Sequence, residues 1–252
     1  DVGLSIQRRD ADKTSVRAAA ITATEILMQR AALELDIAPE EFDSLAPNVV
    51  TMSDGRHVPH LQISDALPNG SGFCRHLLSS SRIPVFKLLD SILDDPQAWP
   101  RKTLSEKEHM GRCGSSCYRC LQKYNNRNLH GLLDWRLGLS YLRAMSDPGH
   151  DCGMDGNWSG RFELADWPEA AMRLARQTTT FIPGNTVTTL QGWPDIPVFS
   201  LDDARRRWAV VVHSLWNRDE TRRVLRIDPG YVLIDAFELA RRPLQVIQRA
   251  RH

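Results

Sequence analysis

No run of apolar residues in this sequence approaches the roughly 18–20 that a membrane-spanning helix needs. The start lacks the basic, apolar and small-residue segments of a secretory leader. Both absences make the cytoplasm the expected compartment and exclude a membrane partner. Neither internal repeats nor low-complexity tracts interrupt the chain. Lysine is scarce, with 5 residues against 27 arginines. The first residue is Asp1 rather than Met, the start expected of a processed chain or a piece of a longer one.

What is present is the composition of an ordinary globular protein. The 252 residues are 42% hydrophobic and 25% charged, enough for one large domain or two modest ones. That balance sets aside disorder, collagen-like fibre and disulfide miniprotein. The formal net charge is only +1, but it is unevenly spread. Residues 1–50 carry a net of −4, residues 101–150 a net of +5, and residues 201–252 a net of +4. Arginine forks bind phosphate bidentately, so the basic segments are candidate nucleic-acid contacts.

Apolar spacing predicts a helix from Thr14, with Val16, Ala19, Ala20, Ala23, Ile26, Leu27 and Leu33 on its buried face, stopping before Pro39. A short turn over Glu40–Leu45 precedes a hairpin with strands Asn48–Met52 and His60–Leu67, turning at Asp54 and Gly55. Helices follow from Phe73 (face Phe73, Leu77 and Leu78) and from Pro84 (face Val85, Leu88, Leu89 and Ile92). A basic loop runs up to Gly111, and His130–Met145 reads as a further helix. Beyond Pro148 lies a Trp-, Gly- and Pro-rich stretch without clear periodicity. Apolar strands at Trp208–His213 and Tyr231–Asp235 flank a polar crossover with Arg222, Arg223 and Arg226. The expected class is α+β: a zinc-binding helical and hairpin domain over residues 1–150, and a small α/β extension over residues 151–252.

Three of the five cysteines, Cys113, Cys117 and Cys120, fall within eight residues in RCGSSCYRC. A chain without an export signal is not expected to use them as a disulfide framework. Thiolates at three- and four-residue spacing around Gly114, Ser115 and Ser116 can converge on one tetrahedral Zn2+. A fourth ligand must come from elsewhere. Cys74, near the start of a helix able to pack beside the cluster, is the first choice; Cys152 and His109 come next, then His130. The same thiolates could hold an iron–sulfur cluster. Buried hydrophobic cysteines fit poorly beside Arg112, Arg119, Lys123 and Arg127, and a redox Cys-x-x-Cys lacks its βαβ frame. A closed four-ligand zinc has no open position for water, so its role is structural.

The basic residues Arg112, Arg119, Lys123 and Arg127, interleaved with Tyr124, make a candidate phosphate-binding and base-stacking face. Other features are weaker. Gly70-Ser71-Gly72 could cradle a phosphate but reads better as a tight turn. His213 at a strand end invites a catalytic role, and His57 and His60 a metal, without partners of recognisable spacing. Paired carboxylates and triads are not found.

LPNGSGFC (Leu67–Cys74), CGSSCYRCLQKYNNRNLHGLLDWRLGL (Cys113–Leu139) and the strand before the first motif resemble the C-terminal zinc-binding domain of MrfA-type superfamily 2 repair helicases. Related domains occur in companion proteins of DISARM-type anti-phage systems. The resemblance covers residues 15–145 and only loosely the remainder. It implies one zinc held by Cys74, Cys113, Cys117 and Cys120, in a bacterial accessory domain serving an ATP-driven DNA translocase in defence or repair. The sequence has neither G-x-x-x-x-G-K-[ST] nor an Asp-Glu-x-His box. A helicase motor must therefore lie in a longer chain or in another subunit. Two rival readings remain: a nuclease or hydrolase with its site in residues 185–252, and an architectural subunit that never touches nucleic acid.

Overall fold

The computed structural model describes residues 13–51, 53, 57–79, 85–147, 149–182, 186–202 and 206–251. The turn expected at Asp54 and Gly55 and the helix start at Pro84 lie outside them. The chain is mixed α+β, with two small sheets, and divides into two compact units. One is Arg17–Gly149; the other is the rest of the described chain.

The spine of the first unit is α1 (Thr14–Leu35). Its alanine-rich start is buried almost all round, which suits the residue of highest helix propensity and smallest bulk. Thr22 and Thr24 donate their hydroxyls back to the carbonyls of Ala18 and Ala20, so burying them leaves no unmet donor. The helix ends where Asp36 turns left-handed, at φ 55°, and the Ile37 amide closes on the Ala32 carbonyl. Leu33, expected inside, is half exposed.

The turn expected over Glu40–Leu45 is only its first part. A 3-10 turn over Pro39–Glu41 leads at once into β1 (Phe42–Thr51), paired antiparallel with β2 (His57–Asp65) and interrupted by a register shift between Leu45 and Asn48. Phe42 meets Phe73 edge-on and joins Met28, Ala31, Ala32 and Leu88 in a local core. Next come α2 (Phe73–Ser79) and α3 (Val85–Leu93), whose Leu88, Leu89 and Ile92 are buried as their spacing requires. In α2, Leu78 points outward instead. The basic loop contains two single turns, α4 (Arg101–Leu104) and α5 (Lys107–Met110).

Helix α6 runs over Trp135–Ser146, five residues later than the His130 start, because Asp134 adopts an extended backbone and caps it by accepting from the Leu137 amide. Gly138 lets α6 lie directly on α1. A Cβ there would stand 2.6 Å from Thr22 Cγ2 and 2.9 Å from Ile26 Cδ1. Gly138→Ala should therefore destabilise by roughly 1–3 kcal/mol through overpacking, despite alanine's better helix propensity; urea unfolding measures it.

The second unit is built on a four-stranded sheet of order β3-β4-β5-β6. The strands β3 (Val187–Leu190), β4 (Trp193–Asp202) and β5 (Arg207–Val212) run antiparallel, and β6 (Tyr231–Asp235) lies parallel to β5. The helix α7 (Trp167–Thr179) packs on β3, β4 and β5. The β5-to-β6 crossover is α8 (Arg218–Val224), capped by Asn217. Two further helices, α9 (Ala236–Arg241) and α10 (Pro243–Arg251), complete the unit. Its core holds Trp158 stacked on Trp167 at 4.4 Å, with Trp216 and His213 alongside.

Candidate metal centre

A short loop with its own hydrogen bonds sets the three clustered thiols. The Cys113 amide donates to the His109 carbonyl as the chain leaves α5. Four residues on, the Cys117 carbonyl collects the amides of Cys120, Leu121 and Gln122, a turn tight enough to fold the second and third cysteines together. The Gln122 side chain holds Ser116, and the Ser115 carbonyl accepts from the Trp135 amide at the start of α6.

The sulfurs sit 3.9 Å apart for Cys113 and Cys120, and 3.7 Å apart for Cys117 and Cys120. These are far beyond a covalent S–S bond of about 2.05 Å. They match the edge of about 3.8 Å that a tetrahedron with Zn–S arms of about 2.3 Å must have. His109 completes the group: its ring and the three sulfurs offer atoms all within 4.8 Å of one another. Both ring nitrogens of His109 are buried without a hydrogen-bond partner. A buried imidazole with neither nitrogen bonded is costly unless something else takes a lone pair, and a metal ion is the fitting group. The electrostatics agree. The Cys120 thiolate is held low, at about 5, chiefly by a hydrogen bond from the Cys113 side chain and against the effect of burial. Cys113 is pushed up, chiefly by its hydrogen bond to Cys120 and by burial, with charge on the neighbouring thiolates adding to both. A divalent cation relieves that conflict by replacing protons.

Cys74 stands outside this group, which corrects the first choice for the fourth position. Its sulfur lies 3.7 Å from the Ile63 carbonyl, and its amide donates to Asp65. Burial and the Asp65 carboxylate push its thiol up to about 11, the opposite of what a thiolate ligand needs. The Asp65 carboxylate also takes the Gly72 amide. The donors of the imagined phosphate cradle are thus already used, with Gly70 and Gly72 supplying the positive φ angles of the turn.

Cys152 belongs to the other unit, 3.4 Å from His150 Nε2. His130 is occupied by the Lys123 carbonyl and Asn126 Oδ1. His60 is exposed on β2, and the side chain of His57 lies outside the described residues. His213 is buried and accepts the Leu215 amide at Nδ1.

The basic face is smaller than the sequence suggests. Lys123 is partly buried with an unbonded Nζ, and burial lowers its pKa against the pull of Glu25 and Glu40. Arg119 is clamped by Glu106 at 2.6 Å and Glu108 at 3.1 Å. Arg112 and Arg127 are exposed, as is Tyr124 at 80% of its surface, with the Arg127 guanidinium 5.1 Å from the Tyr124 ring centre. Tyr118, not singled out from the sequence, is 73% exposed on the same loop. The loop rests on Asn126, which accepts the Lys123 amide and donates to Glu25 and the Leu121 carbonyl.

Among the described residues no helix is long and apolar enough to cross a membrane. Compared with models of known protein families, with curated proteins and with solved structures, the chain matches none.

Proposed function

We propose that Arg17–Gly149 is a zinc-stapled accessory domain of an ATP-dependent DNA helicase or translocase, working in bacterial anti-phage defence or DNA repair. The observation that carries this reading is the buried, unbonded His109 ring set among three sulfurs at tetrahedral spacing. His109, Cys113, Cys117 and Cys120 would hold the ion. With four protein ligands it supplies no reactive water, and its work is to fix the loop that carries Tyr118, Tyr124, Arg112 and Arg127. From His109 to Leu133 the sequence has no acidic residue, so that loop offers arginine, asparagine and tyrosine to a phosphate chain. The motor is supplied by a longer chain or a partner subunit. Free thiols suit a reducing compartment, and the cytoplasm fits.

The test is a DNA titration of the zinc-loaded protein at two salt concentrations. Arg112→Glu with Arg127→Glu should weaken binding at least tenfold at low salt and reduce the salt slope by about two. Arg119→Glu should do less, since that guanidinium is already paired. Equal affinity and slope in wild type and double variant would leave the architectural reading in its place. A brown protein absorbing in the visible would replace zinc with an iron–sulfur centre.

A further inference from the structure

Two tyrosine rings stand out from the loop between α5 and α6. Tyr118 is 73% and Tyr124 80% exposed, whereas a ring of that size is usually at least half buried. Contacts within the loop hold the two near each other. Tyr118 meets the His130 ring in a T-shaped contact at 5.4 Å, and His130 Nε2 lies 3.0 Å from the carbonyl of Lys123, the residue before Tyr124. His130 is thus a strut between them. The Arg127 guanidinium covers one face of Tyr124, 5.1 Å from the ring centre, and donates to its hydroxyl. At that exposure the opposite face is open to solvent.

The rings stand among cations without an acid of the loop's own. Glu106 and Glu108, which precede the loop, are both taken up by Arg119, and Arg112 is exposed with no ion pair among the described residues. Asn125 and Asn128 are exposed in the same stretch. Between α5 and α6 the backbone forms turns and one 3-10 turn, Arg127–Leu129. It offers neither a helix nor a two-stranded ribbon, the elements that enter the major groove of a duplex. Inside a duplex each base also has both faces covered by its neighbours, so a protruding ring finds nothing to stack on. In an unpaired strand the faces and the hydrogen-bonding edges of the bases are both free.

We propose that this loop selects single-stranded DNA over duplex. One unpaired base stacks on Tyr118 and another on the open face of Tyr124, while Arg112 and Arg127 hold the phosphates. Asn125 and Asn128 meet the free base edges. The inference rests on the reading of the loop as a DNA contact, and adds to it a preference that phosphate contacts alone do not provide.

The probes are a fluorescein-labelled twelve-nucleotide DNA strand of mixed sequence, the duplex of that sequence, and a strand of equal length in which abasic sites replace every base. Each is titrated at low salt against the zinc-loaded full chain. The strand with bases should bind at least tenfold more tightly than the abasic strand or the duplex. Tyr118→Leu with Tyr124→Leu should cut its affinity tenfold or more, while abasic binding, the salt slope, metal content and thermal melting stay as they are. Tyr118→Trp with Tyr124→Trp should restore the affinity, which a merely structural role for the phenols would not allow. A strand carrying 5-iodouracil should crosslink under ultraviolet light to Tyr118 or Tyr124. Equal binding of the abasic strand or of the duplex overturns the inference, and both comparisons use the wild-type chain, so they hold whether or not the leucine variant folds. If strand and duplex bind alike and Arg112→Glu with Arg127→Glu weakens both, the DNA contact stands and the strand preference falls. If none of the three probes binds, both fall.

Discussion

Cys120→Ser should strip stoichiometric metal from the protein and lower the melting temperature of the full chain by on the order of 10 °C or more. Closing a structural zinc site is worth about 10–16 kcal/mol in small modules, comparable to or greater than the whole net stability of a typical domain. Cys120 is the side chain to remove first, because its sulfur lies 3.9 Å and 3.7 Å from those of Cys113 and Cys117 and it carries the thiolate. His109→Ala should act in the same direction with a smaller shift, since three thiolates remain. Cys74→Ser decides between the two arrangements. It should keep full metal content and move the melting temperature by only a few degrees, because that thiol is half-buried beside the Ile63 carbonyl and against the Phe42 and Leu88 cluster, outside the metal group. Elemental analysis and calorimetry on the three variants give the answer. Metal lost from Cys74→Ser and retained by His109→Ala would remove the geometry on which the centre is built.

That arrangement also shows what could be read from the residues alone. Three thiols at three- and four-residue spacing are legible because a tight turn is all that their convergence needs. The fourth member of the group was legible in principle: His109 lies four residues before Cys113, one helical turn away. Cys74 competes with it because cysteine is the commoner zinc ligand and its surroundings resemble a known motif, yet the Asp65 carboxylate commits that turn to its own backbone. Helices with one apolar stripe, such as α3, were readable from periodicity. The stretch before Trp208 was not. β4 carries Pro194 and Pro197, which read as breakers, yet Pro197 sits within the strand opposite Thr189. Nor does sequence show burial or pairing: Lys123 looks like free surface charge until its Nζ is found buried, and Arg119 until Glu106 and Glu108 are placed beside it.

Acid should destabilise the second unit well before its carboxylates are protonated, because of His213. The ring is fully enclosed beside Trp167 and Trp216, and Nδ1 accepts the Leu215 amide, so that nitrogen must stay unprotonated. Burial, with a further push from His150, lowers its pKa from 6.5 to about 3. Between those values the unfolded chain binds a proton that the folded one refuses. The stability is therefore fully present above pH 6.5 and drains away as pH falls towards 3. At 1.36 kcal/mol per pH unit the full span is worth about 5 kcal/mol, of which about 2 kcal/mol is gone by pH 5. Urea unfolding at pH 7.5, 6, 5 and 4 should trace that decline. His213→Phe keeps an aromatic ring but cannot take the proton; it gives up the Leu215 hydrogen bond, costing about 1–3 kcal/mol at neutral pH. Its stability should then fall far less steeply between pH 6.5 and 5, and the two curves should converge or cross. Parallel curves would mean that His213 takes up its proton in the folded state at an ordinary pH, which an enclosed ring accepting an amide does not allow.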